Sequence, residues 1–199
     1  MSLDIHPLTG SRILAAIDDL ARLRMAVFAE WPYLYDGDGR YEEDYLREFA
    51  EAPGGVLVAA CDGPRIVGAA TASPMWAQKP EFRAPFEKHG FDTSTLFYFG
   101  ESVLLPEYRG QGVGHAFFDH REEQAVKCGA GAATFAAVIR PANHPSRPAG
   151  YVPLDAFWRG RGYAPVRDMV THLAWKEHGE TDESPKPMQY WLRRFQSAR

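Results

Sequence analysis

Cysteine is scarce in this chain: Cys61 and Cys128 are the only two in 199 residues. Two distant cysteines provide neither a disulfide framework nor a zinc site, and a reduced, cytoplasmic setting is the simplest reading. Long apolar runs are missing too. No stretch reaches the ~18 residues a membrane span needs, and MSLDIHPLTGSR lacks the apolar core of a secretory signal. A membrane partner is therefore not expected. Basic excess is also absent: 22 Lys+Arg stand against 26 Asp+Glu, for a net charge of −4. That balance carries no nucleic-acid footprint. Repeats, low-complexity tracts and clear linkers are lacking, so residues 1–199 read as a single domain. What remains is ordinary for a folded protein, with 45% hydrophobic and 24% charged residues.

The order of local signals alternates between strand and helix. LDIHPL (3–8) reads as a first strand. RILAAIDDLARLRMAVFAEW follows with Leu14, Ile17, Leu20, Leu23 and Val27 at helical spacing and Ser11 as N-cap. After the loop WPYLYDGDGR, YEEDYLREFAE (41–51) reads as a second helix that starts near Asp38 or Gly39. VLVAAC and RIVGAATA are β-rich and flank Asp62-Gly63, a hairpin signal. Residues 76–95 are irregular, with a short amphipathic helix through Phe82 and Phe86. LFYFGESVLL (96–105) is the next strand, a helix runs to about Lys127, and AATFAAVIR (132–140) is another strand. LDAFWRGRGY is a short helix, and VTHLAWKE (170–177) and MQYWLRRF (188–195) are the last strands.

Three alternate glycines, Gly110, Gly112 and Gly114, stand between the strand and the helix. Strand, glycine turn and helix together make an anion-binding arrangement: free N–H groups and the positive helix end attract phosphate. A P-loop needs GxxxxGK[ST], and no lysine follows here. A dinucleotide loop needs GxGxxG and an acid after the next strand, where this chain has Ile139-Arg140-Pro141. A plain structural turn is the third alternative. GESVL lacks the second glycine of a serine-hydrolase elbow around Ser102. His115 and His120 are five apart and do not share a helical face, so no metal is expected.

Arg109-Gly110-Gln111-Gly112-Val113-Gly114, preceded by Leu-Leu-Pro-Glu-Tyr, resembles the acyl-CoA-binding motif of the GNAT superfamily of N-acetyltransferases. AFWRGRGYAPV (156–166) resembles the family's second signature, and the element order is similar over most of the chain. The resemblance implies an α/β (α+β) fold: a mixed, largely antiparallel central sheet with a splayed pair of strands and about four flanking helices. It implies acetyl-CoA as co-substrate, with the pyrophosphate on the N–H groups of Gln111 to Gly114 and added charge from Arg109. The pantetheine arm would pair with the backbone of Val103, Leu104 and Leu105, and Trp158 would pack on it.

Acetyl transfer to an amine needs a neutral nucleophile, donors for the oxyanion and a departing thiolate. The resemblance assigns the donors to strand amides near Leu104 and Leu105, and the base to Glu101. The family's usual general-acid tyrosine is replaced by Trp158, whose indole does not titrate usefully, and its asparagine seven residues earlier by Tyr151. Tyr151, His144 and Tyr163 are the substitutes that chain position offers. In the loop NHPSRP (143–148), His144 and Arg147 are placed to orient a substrate, and Arg147 suits a carboxylate.

The expected activity is acetyl transfer to a primary amine of a small molecule, by direct attack in a ternary complex. Acylation of a protein N-terminus or lysine, and a non-catalytic acyl-CoA sensor, are the alternatives. The resemblance makes the first helix–loop–helix one wall of the acceptor site, where Trp31, Tyr33 and Tyr35 with Asp36, Asp38, Glu42, Glu43 and Asp44 would attract an ammonium group. Equally, the acids favour the dipole of a helix N-terminus and the aromatics belong to the core. The aromatic segment from Met75 to Phe91 reads as a lid, as cover for the sheet or as a homodimer contact.

Overall fold

The computed structural model describes residues 3–196. Seven strands form one sheet: β1 (Asp4–Leu8), β2 (Val56–Asp62), β3 (Arg65–Pro74), β4 (Leu96–Leu104), β5 (Ala132–Val138), β6 (Ala164–Trp175) and β7 (Ser184–Arg194). Their order is β1-β2-β3-β4-β5-β7-β6. Every neighbouring pair is antiparallel except β4 and β5. A parallel pair requires a crossover, which a helix supplies here.

Six helices flank the sheet: α1 (Ser11–Ala15), α2 (Ile17–Phe28), α3 (Gly39–Glu51), α4 (Pro80–Lys88), α5 (Val113–Lys127) and α6 (Asp155–Gly160). The expected single first helix is two. The chain breaks at Ala16, and Gly10, at φ 50°, rather than Ser11, is the N-cap of α1. Asp38 caps α3 by accepting from the Tyr41 N–H at 3.0 Å, which satisfies one of the free donors of its first turn. The 76–95 segment is sheet cover, because Met75 and Phe86 are fully buried against Leu96, Tyr98 and Tyr190. None of the helices among the described residues is long and apolar enough to cross a membrane.

Period-2 alternation sorts the strand side chains onto two faces. Leu57, Ala59, Ala69 and Val103 meet Leu20, Leu23 and Leu46 of α2 and α3. Phe97, Phe99, Ala133 and Phe135 meet Phe118 and Ala125 of α5 on the other face. The parallel pair does not hold along its length. Only Leu96–Tyr98 pair with Ala132–Thr134, although β4 continues to Leu104 and β5 to Val138. The two strands therefore diverge into a slot, and β5 is held on its far side by β7 as far as Val138.

Candidate active site

One edge of β4 is open where the slot begins. Leu105 N–H donates to the Val67 carbonyl at 3.0 Å, and Val103 pairs opposite Ala69. An antiparallel ladder alternates its bonded residues, so the backbones of Val103 and Leu105 turn to β3. Those of Ser102 and Leu104 turn to the slot. This corrects the expectation for Val103 and Leu105, whose backbones face β3 and not a pantetheine arm, and the Leu105 amide, spent within the sheet, is not an oxyanion donor.

At the end of β4 the chain makes one 3-10 turn (Pro106–Tyr108) and enters α5 through its glycines. Gly110 has φ 75° and Gly112 φ 82°, conformations that a side chain disfavours. A Cβ at either position would enter open space, so what requires glycine is the backbone turn, and the surface above it stays bare. Gly112 is the N-cap of α5, and its carbonyl takes the N–H groups of His115 and Ala116. The donors before them belong to the helix's first turn and have no intrahelical acceptor. Gly114 differs from the other two: a methyl there would rest 3.5 Å from the Phe157 ring.

Further up β4, the pairing Ala72↔Phe99 passes to Ala70↔Ser102, so two residues of β3 oppose three of β4. This β-bulge inverts the alternation. Glu101 would otherwise point with Phe97 and Phe99 towards α5. Instead it reaches the α2–α3 face, where its Oε2 accepts from the Tyr45 and Thr71 hydroxyls, each at 2.7 Å. Its Oε1 is ion-paired with the Arg24 guanidinium, which also holds Glu42. The side chains of these three charged residues are only 1–7% exposed. Burial disfavours the Arg24 charge, but Glu101, Tyr45 and Glu42 outweigh it and its pKa is raised. Gly100 makes this convergence fit: a Cβ there would stand 2.4 Å from Thr71 Oγ1 and 2.8 Å from the Tyr45 hydroxyl.

A second buried cation lies on the opposite face. Arg121 of α5 is 2% exposed. Its guanidinium donates to the carbonyls of Phe117, Thr71 and Glu101, and lies 4.4 Å from the Phe99 ring and 4.8 Å from Phe118. Burial lowers its pKa to about 10, opposed by Tyr163 and Glu101. It pins the bulge from below by holding the Glu101 and Thr71 carbonyls.

The remaining expected residues divide into two groups. His144 and Tyr151 come together on Trp31, with ring centroids 4.9 Å and 5.9 Å from it. Ser146 N–H donates to His144 Nδ1 at 3.2 Å, which leaves Nε2 to carry the proton of the neutral ring. Burial raises the Tyr151 pKa, with Arg147 opposing, so its phenol is protonated at neutral pH. Tyr33 completes this rim. Its pKa rises to about 12 through burial first, then through the charge of Glu101. Tyr163, by contrast, donates to Glu122 Oε1 at 3.1 Å beneath α5. Trp158 packs between Phe135 and Trp191, 5.1 Å from each, on the α5–α6 face. Arg109 turns back from the glycine turn: Nε donates to the Leu104 carbonyl at 3.1 Å and a terminal nitrogen to Glu30 at 2.9 Å.

The acidic wall is mostly consumed by the fold. Asp36 pairs with Lys176 at 2.9 Å, Asp38 caps α3, and Glu42 neutralises Arg24. Sequence pattern missed Arg24, because an arginine among Leu20, Leu23 and Val27 reads as a flank of the apolar stripe.

The description "Acetyltransferase (GNAT) family" matches residues 20–149. Comparison with curated proteins returns no match. Among solved structures, an aminoglycoside 6'-N-acetyltransferase complexed with coenzyme A is similar at TM-score 0.62 and 16% identity, over 98% of this chain and 99% of that one. The ribosomal-protein-alanine N-acetyltransferase of Brucella melitensis also gives 0.62, at 15% identity over 96% and 99%. The yncA protein of Salmonella typhimurium, with its cofactor acetyl-CoA, gives 0.61 at 11% over 100% and 97%. These likenesses establish the fold, and the family match spans well over half of the chain with its slot, bulge and glycine turn. The chain belongs to the GNAT family of acetyltransferases.

Proposed function

We propose that this protein transfers the acetyl group of acetyl-CoA to a primary amine of a small molecule, by direct attack in a ternary complex. The observation that carries the reading is the open edge of β4, which leads from the diverging strands directly to the bare N-terminus of α5. Gln111, Gly112, Val113 and Gly114 N–H groups, with the positive helix end, suit a diphosphate there. Arg109 is held by an exposed ion pair worth about 0–1 kcal/mol, so it exchanges Glu30 for phosphate at small cost.

Acetyl-CoA supplies the thioester-activated acetyl group. Backbone groups of Ser102 and Leu104 on the open edge align the extended arm, and the Leu104 N–H is the nearest oxyanion donor. Glu101 draws the proton from the amine. Three of its roughly four acceptor positions are filled by Arg24, Tyr45 and Thr71, so the proton reaches it by exchange through a hydroxyl that already donates to it. Tyr151 and His144 Nε2 on the rim are the donors for the departing thiolate, which at a pKa near ~8.5 needs little help.

Acylation of a protein N-terminus is the second reading, favoured by the equal likeness to the Brucella melitensis enzyme. Thiol release from acetyl-CoA, measured against small amines and against short peptides with free N-termini, separates the two. A preference for peptides would overturn the small-molecule reading. Tight CoA binding with no turnover would leave a sensor.

A further inference from the structure

We propose that the acceptor amine also carries a carboxylate, which Arg147 reads at the mouth of the slot. This rests on the small-amine reading above. A continuous line of contacts joins Arg147 to the slot. Its guanidinium lies 5.2 Å from the Tyr151 ring and donates to the Tyr151 carbonyl at 3.4 Å. Tyr151 stands edge-on to Trp31 at 5.9 Å. Arg140 ties the adjoining Pro32 and Tyr33 carbonyls at 2.7 and 3.2 Å. Tyr33 packs on Phe28 at 4.7 Å, and Phe28 lies under Arg24, the partner of Glu101.

Most charges along this rim are already paired. Arg140 is consumed by Glu177. Asp36 is consumed by Lys176, and Glu42 by Arg24. Asp155 acts on Tyr151 from the start of α6 and forms no ion pair with Arg147. Among the described residues, no carboxylate lies within 4 Å of the Arg147 guanidinium. A half-buried planar donor without an anion matches a carboxylate in shape and charge. A second donor belongs to the ring that Tyr151 meets: Trp31 Nε1 is buried with no partner. Unmade bonds of buried donors are costly, and a ligand oxygen would satisfy this one. The rings of Trp31, Tyr151 and His144 form an apolar wall between the two ends of such a molecule. A polycationic acceptor, by contrast, would meet the Arg147 guanidinium on this rim.

The test uses the full chain with acetyl-CoA and matched triplets: phenylalanine, its methyl ester and phenethylamine, then a γ-amino acid, its methyl ester and its decarboxylated amine, with kanamycin as polycation. Thiol release gives kcat/KM for each. The acid is expected to exceed its ester and its decarboxylated amine by about tenfold or more, the usual size of a charge-assisted bond. Arg147→Gln should bring that ratio towards one by raising KM, and Arg147→Lys should restore part of it. Equal rates within a triplet, a ratio unchanged in Arg147→Gln, or a preference for kanamycin would each overturn the inference while leaving the acetyl-transfer reading intact. Absence of turnover with every amine, despite acetyl-CoA binding, would overturn both.

Discussion

The Arg24 guanidinium is ion-paired with the Glu101 carboxylate beneath the slot, and the same guanidinium holds Glu42. Helix α2 thus supplies a cation to a strand and a helix that follow it far along the chain. Taking three charges out of water is costly, and only mutual pairing offsets it.

That arrangement predicts a large effect from removing its centre. Arg24→Met would leave two buried carboxylates facing each other without a cation. Stability should fall by about 3–5 kcal/mol, read as a lower urea midpoint with an unchanged slope. A loss under about 1 kcal/mol, the value of an exposed pair, would show that the cluster is not tightly buried in solution.

Glu101→Gln keeps shape and both hydroxyl contacts but removes the charge that draws the amine proton. We expect kcat at neutral pH to fall about a hundredfold, while CoA affinity by calorimetry changes little. Wild-type turnover in this variant would remove Glu101 from the proton path.

Gly112→Asp tests the phosphate cradle. Position 112 has φ 82°, and a side chain there projects into open space above the α5 N-terminus. A carboxylate would repel the diphosphate, and its backbone strain is of order 1–2 kcal/mol. CoA binding should weaken at least about tenfold in a calorimetric titration, with the thermal midpoint lowered only modestly. Undiminished binding would place the diphosphate elsewhere.

A fourth prediction concerns pH. The Glu180 carboxylate accepts from the Glu177 N–H, Lys186 and the Ser184 hydroxyl, which together lower its pKa to about 2. A folded-state pKa below the unfolded value contributes stability that is complete above about 4.5 and lost as pH falls towards about 2. Thermal midpoints between pH 5 and pH 2 should decline, and Glu180→Gln should flatten this part of the profile. Parallel profiles would exclude the group.

The rim residues His144 and Tyr151 show where linear reading works and where it stops. Their loop follows β5, so chain order already places them after the strand that diverges from β4. Their shared stacking on Trp31 depends on a segment over a hundred residues earlier, and no local pattern encodes it. Tyr163 shows the same limit: chain position offers it alongside Tyr151, but packing turns it to Glu122 under α5.

Sequence by itself determined the turn proposed to hold the acyl donor. Strand β4, Pro106, the turn through Gly110 and Gly112 and helix α5 are contiguous, and glycine conformations and helix-end donors are local properties of the backbone. Tertiary structure alone decided the surroundings of the proposed base. A one-residue bulge opposite β3 sends Glu101 to the other face of the sheet, Arg24 neutralises it, and Arg121 is buried beneath. Faces, partners and burial are set by strands and helices meeting across long sequence separations, and period-2 reading of β4 alone points Glu101 the wrong way.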